Sequence, residues 1–224
     1  MKKVNGGALI VLEGMDGCGK STQAELVKEY FTSEGYNVTV TREPGGIKSA
    51  EEIRNVILYN EDLDNMTEMM LFMAARRINM QQIILPAMRN GNIVICDRFI
   101  DSTLVYQGIV GSVSFDTIMP MNNLATDNHN PDMSIIINLP AKKAYDRVHS
   151  NSDRNENNKY DDKEYSFFEK IATAYKELKL RCGWMTDHLY KRVYVDGDQD
   201  KDAVCKLIVE KIKLVLDRKN ISEE

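Results

Sequence analysis

The sequence predicts an open α/β fold, a five-stranded parallel sheet with helices on both faces, and three observations carry that prediction. Short β-branched and aliphatic runs alternate with longer helical segments along the whole chain. Several of those runs are apolar at consecutive positions, as strands covered on both faces by helices must be. A glycine-rich turn stands directly between the first run and the first helical segment, where such folds receive phosphate groups.

The strands are read at Ala8–Glu13, Val38–Arg42, 92–97, 133–139 and 193–196. The first, Ala8-Leu9-Ile10-Val11-Leu12 closed by Glu13, is too short for the core of a signal peptide and reads as a buried strand. Helices are expected over 20–32, 50–59, 66–88, from 103 through 106 and onward, over 141–150, 165–187 and 201–218. The segment 151–164 breaks the alternation: almost wholly polar, it cannot bury itself, and composition leaves a disordered loop and a short lid equally open. With no repeat and no dividing linker, residues 1–224 read as one domain, and 43% hydrophobic content suffices for one substantial core.

A net charge of -5 and a pI near 5.4 give no basic footprint for a nucleic-acid backbone. Cys18, Cys96, Cys182 and Cys205 are far apart, with no C-x-x-C pair and no histidine at metal-ligand spacing. Neither a disulfide framework nor a zinc site is expected, and reduced thiols in the cytoplasm are the simpler reading. No stretch approaches the ~18 apolar residues of a membrane span, so neither membrane nor nucleic acid is an expected partner.

Gly14-Met15-Asp16-Gly17-Cys18-Gly19-Lys20-Ser21 satisfies G-x-x-x-x-G-K-[ST] at every fixed position, which narrows the fold to the P-loop NTPase class. The backbone from Gly14 through Asp16, Gly17, Cys18 and Gly19, with Lys20, Ser21 and Thr22 opening the helix, is the expected ATP site, because inward N–H groups and the helix dipole suit phosphate oxygens. Lys20 reaches the β- and γ-phosphates, and Ser21 is placed to ligate the bridging Mg²⁺. The loop alone leaves hydrolysis, transfer and sensing open.

Asn158-Lys159-Tyr160-Asp161 matches the guanine-specifying N-K-x-D pattern, but it lies inside the polar 151–164 run and not at the end of a buried strand. The third strand ends in Asp97-Arg98, at the sheet edge where open α/β folds bind ligands. There Asp97 can hold Mg²⁺ through water and Arg98 can grip phosphate oxygens with its planar fork. Arg42, Arg54, Arg76 and Arg77 gather at neighbouring element ends. A second anion site is what separates a nucleotide kinase from an ATPase. The histidines His129, His149 and His188 fit no role, since a phosphate acceptor is already anionic and needs no base.

The P-loop with its Asp16, the run Arg42-Glu43-Pro44-Gly45-Gly46, the helix Leu71-Phe72-Met73-Ala74-Ala75-Arg76-Arg77 and the segment from Asp97-Arg98-Phe99 to Tyr106-Gln107-Gly108 together resemble thymidylate kinase of the bacterial type, over nearly the whole chain. The resemblance implies a dTMP kinase that moves the γ-phosphoryl of ATP onto dTMP, giving dTDP for dTTP synthesis, with Mg²⁺. It implies that Phe72 stacks on thymine, Arg76 donates to O4 and Gln107 pairs with N3. Arg54 and Arg98, with Arg42 nearby, hold the acceptor phosphate. Asp16 contacts the 3′-hydroxyl, Tyr106 lies beneath the sugar, Thr103 stands near the base, and Glu43 orients water or metal.

Some relatives carry an arginine just after the loop's Asp, where this chain has Gly17. The resemblance then assigns the compensating catalytic cation to the lid, with Arg154 first and Lys159 second, beside the catalytic Lys20, Arg98 and Asp97. It also implies a homodimer, with Met66–Met73 and the helix after Tyr106 as contributors. The alternatives are a kinase for dUMP or a modified pyrimidine monophosphate, a GTP switch, and a nucleotide-binding module regulated by a partner.

Overall fold

A computed structural model of the chain describes residues 1–150, 159–160, 163–181 and 190–221. Five strands, β1 (Ala8–Glu13), β2 (Val38–Arg42), β3 (Ile93–Asp97), β4 (Met133–Asn138) and β5 (Lys191–Asp196), form one sheet in the order β2-β3-β1-β4-β5. Every pairing is parallel. All of β1 is buried, as its unbroken apolar run requires of a central strand. Leu12 of β1 and Arg42 of β2 both register with Asp97 of β3, so three strands end side by side at one edge.

Among the described residues the helices are α1 (Lys20–Ser33), α2 (Lys48–Tyr59), α3 (Asn65–Asn79), α4 (Leu85–Arg89), α5 (Ile100–Thr103), α6 (Phe115–Thr126), α7 (Ala141–Ser150), α8 (Tyr165–Arg181) and α9 (Lys201–Ile221). Helices α1 and α9 pack on each other and on the strands, while α3, α6, α8 and the stretch Leu104–Val110 form a second group. The core between them is built from buried residues such as Leu9, Ile10, Leu12, Phe31, Ile93 and Ile95.

Three expectations need correcting in detail. The helix expected over 66–88 is α3, a π-helical turn at Met80–Ile84, and α4. Pro86 has no N–H to donate, and the widened turn precedes it. The helix expected from 103 onward is the short α5, then a second π-helical stretch, Leu104–Val110, and after a break the separate helix α6. α6 is started by Ser114, whose Oγ accepts from the Thr117 N–H at 3.2 Å. Strand β5 begins at Lys191, ahead of the expected 193. There Arg192 is buried against Asp101 at 2.7 Å, so a charged residue is accommodated inside a strand. Helix α8 follows the expectation to Arg181, and residues 182–187 lie outside the described residues.

Candidate active site

The loop after β1 turns on glycines with φ of 137° at Gly14, 80° at Gly17 and 96° at Gly19. Gly17 is fixed by space as well as conformation: a Cβ there would lie 2.5 Å from the Ala144 carbonyl oxygen of α7. The loop therefore rests directly on α7. The Lys20 ammonium folds back into the loop and donates to the Gly14 and Met15 carbonyls at 3.1 and 3.0 Å. Lys20 is buried, and those carbonyl oxygens occupy its donors as phosphate oxygens would.

Ser21 Oγ donates to Asp97 Oδ2 at 2.7 Å, which brings the P-loop hydroxyl and the β3 carboxylate together at one point. One hydroxyl and one carboxylate beside a phosphate site suit Mg²⁺, which keeps several waters and takes few protein ligands. Among the described residues no group of three or more His, Cys, Asp or Glu is arranged to hold a metal.

Arg98 follows Asp97 in a left-handed conformation, with φ of 72°, costly for a residue with a side chain. The strain turns its guanidinium back over the loop: Nη2 donates to Asp16 Oδ1 at 2.6 Å, and Nη1 to the Gly14 carbonyl at 3.2 Å and Ser102 Oγ at 3.1 Å. Burial opposes its charge, but Asp16, with Tyr106, Tyr175 and Asp97, more than offsets this and holds it well above the ordinary guanidinium value. The Tyr106 ring lies under it at 5.2 Å, and burial keeps the Tyr106 phenol protonated. Its hydroxyl donates to Asp16 Oδ2 at 3.3 Å.

Glu13, the last residue of β1, supports this corner from beneath. Fully buried, it accepts from the Phe99 and Ser102 N–H groups at 2.8 and 3.1 Å, from Ser102 Oγ at 2.7 Å and from the Tyr175 hydroxyl at 2.9 Å. Burial, with the nearby Asp101, raises its pKa.

A cleft opens beside Arg98, lined by Asp16, Pro44, Arg54, Leu58, Phe72, Arg98, Ser102, Thr103, Tyr106, Gln107 and Tyr160. Tyr106, Gln107 and Tyr160 separate it from a neighbouring cavity of about 520 Å³. The structure thus brings seven of the expected acceptor residues to one place: Asp16, Arg54, Phe72, Arg98, Thr103, Tyr106 and Gln107.

The remaining three stand apart from the lining. Arg76 is 1% exposed and lies behind the wall, donating to Glu43 Oε2 at 2.7 Å, the Phe99 carbonyl at 2.8 Å, Thr103 Oγ1 at 3.2 Å and Asn122. Glu43 is buried with it, and its second oxygen has no partner among the described residues. Arg42 is drawn outward by Glu51 at 3.0 Å. Of the lid candidates, Arg154 lies outside the described residues. Lys159 is next to α3, paired with Glu68 and donating to the Asn60 carbonyl at 3.0 Å; Asn158 and Asp161 of the N-K-x-D match lie outside the described residues.

Comparison with known proteins decides the family. The family model for thymidylate kinase matches residues 12–188. The chain belongs to the thymidylate kinase family. This kinase is 37% identical over 177 residues to a thymidylate kinase of Clostridium novyi, covering 78% of this chain and 86% of that one. It is 34% identical over 211 residues to one of Thermoanaerobacter sp. strain X514, covering 94% and 99%. Its fold is similar to the crystal structure of thymidylate kinase from Ehrlichia chaffeensis, with TM-score 0.71, 28% identity, and coverage of 92% and 99%.

Sequence reasoning missed three residues of this kinase's site. Glu13 reads as a strand's end, and its buried contacts come from residues some ninety and more positions away. Arg147 of α7 donates to the Gly17 carbonyl at 3.3 Å; its only signal is a basic residue in a helix's last turn. Glu68 is an acidic residue only 6% exposed, and helical periodicity on α3 could have flagged it as inward-facing.

Proposed function

We infer that this chain is a dTMP kinase, catalysing ATP + dTMP to ADP + dTDP. The observation that carries the reading is Arg98, which reaches from the P-loop carbonyl of Gly14 into a cleft lined by Phe72, Thr103, Gln107 and Arg54. One cation thereby serves both the place where a donor phosphate lies and the place where an acceptor phosphate would. A phosphate oxygen of dTMP attacks the γ-phosphorus, the bond from that phosphorus to the β-bridging oxygen breaks, and ADP leaves. Catalysis is then chiefly positioning and charge stabilisation.

Lys20 holds the β- and γ-phosphates, and Arg54 with Arg98 grips the acceptor phosphate. Asp16, ion-paired with Arg98 at 2.6 Å, presents its second oxygen to the sugar's 3′-hydroxyl over Tyr106. Phe72 stacks on the base and Gln107 reads its edge. Arg76 anchors the wall through Thr103 and stands ready behind O4. Ser21 and Asp97 would hold Mg²⁺, which when bound would supply charge screening for the phosphates.

At the position of Gly17, where a side chain cannot fit, Arg147 of α7 brings a cation to the Gly17 carbonyl from outside the loop, with Arg154 of the lid as a further candidate. A homodimer is supported by Met66 and Met70, adjacent on α3 and 36% and 51% exposed, beside the exposed Val56 and Tyr59 of α2. Among the described residues no helix is long and apolar enough to cross a membrane, consistent with the cytoplasmic site of action proposed here.

The test is ADP release with Mg-ATP against dTMP, dUMP, dCMP, dGMP and no acceptor. Turnover led by dTMP supports the assignment. A different preferred acceptor overturns the base-pocket roles, and release without acceptor makes the chain an NTPase.

A further inference from the structure

The amide of Gln107 is buried between two cavities, and its orientation is set by a carboxylate on its far side. Gln107 Nε2 lies 3.2 Å from Glu68 Oε2. A carboxylate in this setting only accepts hydrogen bonds, so it draws the amide's NH2 edge and repels its carbonyl edge. The oxygen and the NH2 of an amide diverge from one planar carbon, so turning one toward a partner turns the other away from it. With the NH2 toward Glu68 and the larger cavity, the carbonyl oxygen is the edge left for the cleft.

The Glu68 side chain is itself held in a fixed place by its partners. Lys159 pairs with its Oε1, and the Tyr160 hydroxyl donates to Oε2 at 2.8 Å. Its carboxylate thus accepts from three side chains while 6% exposed, and its backbone N–H is fixed to the Asp64 carbonyl at 2.9 Å. None of these groups needs to touch the acceptor for the effect to operate.

We propose that Glu68, clamped by Lys159 and Tyr160, is a positioning residue for base specificity: it locks the Gln107 amide so that only its carbonyl oxygen faces the base. This rests on the reading of Gln107 as the residue that meets N3 of the base. Thymine and uracil carry N3–H, a donor that a carbonyl accepts. Cytosine presents a bare N3 acceptor, which meets a locked carbonyl as a repulsion and leaves both lone pairs unpaired. A freely rotating glutamine would turn its NH2 inward and accept cytosine, so the lock, more than the glutamine, carries the discrimination.

The experiment compares the kcat/KM ratio of dTMP to dCMP in the full-length enzyme and in Glu68→Gln, Gln107→Ala and Lys159→Met. Glu68→Gln keeps size and lets the neighbouring amide present either edge, so the ratio falls about tenfold or more, the worth of one buried hydrogen bond no longer opposed. Most of the dTMP loss is in KM and not kcat. The ratio is taken on one preparation and does not depend on the folded fraction. Where Glu68→Gln yields no soluble enzyme, Lys159→Met is read the same way, and its ratio falls several-fold. If Gln107→Ala collapses the ratio while the Glu68 and Lys159 variants keep it, Glu68 is only structural and the lock is overturned. If Gln107→Ala keeps the ratio too, it is the assignment of Gln107 to the base that fails.

Discussion

Removing the Glu43 carboxylate while Arg76 remains leaves a guanidinium charge in the core with no counter-ion. Arg76 and Glu43 are 1% and 3% exposed and 2.7 Å apart, so water cannot replace the missing partner. Breaking a buried ion pair from one side costs about 3–5 kcal/mol. The lower end applies here, because Arg76 keeps acceptors in the Phe99 carbonyl, Thr103 and Asn122, and because burial already raises the Glu43 pKa against the pull of Arg76. Glu43→Leu is therefore expected to lose about 3 kcal/mol, roughly 6–12 °C in melting temperature for a chain of this size. The double variant Glu43→Leu/Arg76→Met is expected to be no less stable than the single one, although it deletes further hydrogen bonds, since it removes the orphaned charge. Urea unfolding at fixed protein concentration measures both, with an unchanged slope showing that the native and unfolded states are comparable. A single-variant loss under about 1 kcal/mol, or a double-variant loss equal to the sum of the two singles, would refute the account of Arg76 as a charge that Glu43 must balance.

Arg98→Lys keeps the charge but loses the planar fork that spans Asp16, Gly14 and Ser102, so kcat/KM for dTMP should fall on the order of 100-fold in the ADP-release assay. Arg147→Ala should raise KM for ATP by about three- to tenfold, the loss of one charge-assisted contact, and leave KM for dTMP alone; equal effects on both substrates would remove Arg147 from the donor site. Gly17→Ala forces a Cβ against the Ala144 carbonyl at 2.5 Å in a left-handed conformation, with an expected loss of about 1–3 kcal/mol by thermal melting. For Glu13, burial raises the native pKa, so the native state keeps a proton that the unfolded chain releases. Its contribution is fully present below the unfolded carboxylate value of 4.5 and is lost as pH rises through the native one. Relative to Glu13→Gln, the unmodified protein should lose stability as pH rises above the ordinary carboxylate value of 4.5, and a parallel pair of stability curves would contradict this.

The fold was legible where one physical cause dominates. The runs 8–12 of β1, 93–96 of β3 and 135–137 of β4 are apolar at consecutive positions because both faces are covered, and the glycine pattern of the P-loop has few other uses. It was least legible where long-range partners decide. Arg192 extends β5 because Asp101, far along the chain, neutralises it. The π-helical stretch that presents Tyr106 and Gln107 reads Leu-Val-Tyr-Gln-Gly-Ile-Val, in which no residue marks a widened turn. In the site, aromatic and arginine positions were readable as a set, whereas the depth of Arg76 behind the wall and the reach of Arg147 to Gly17 depend on where α3 and α7 come to rest. Gly17 shows the difference: from sequence it is a missing arginine, and in the fold it is the only residue that lets α7 sit on the loop.

The strand order also governs what a growing chain can do on the ribosome. β1 gains its first neighbour when β3 is made, by Asp97, but its other edge stays bare until β4 begins at Met133. During that interval the P-loop is already synthesised, yet the strand that carries it offers an apolar, hydrogen-bonding edge to any other chain. A fragment ending before Met133 contains every residue of the phosphate loop and should associate through that edge instead of serving as a minimal nucleotide-binding unit. The phosphate loop is finished early in the sequence but protected late.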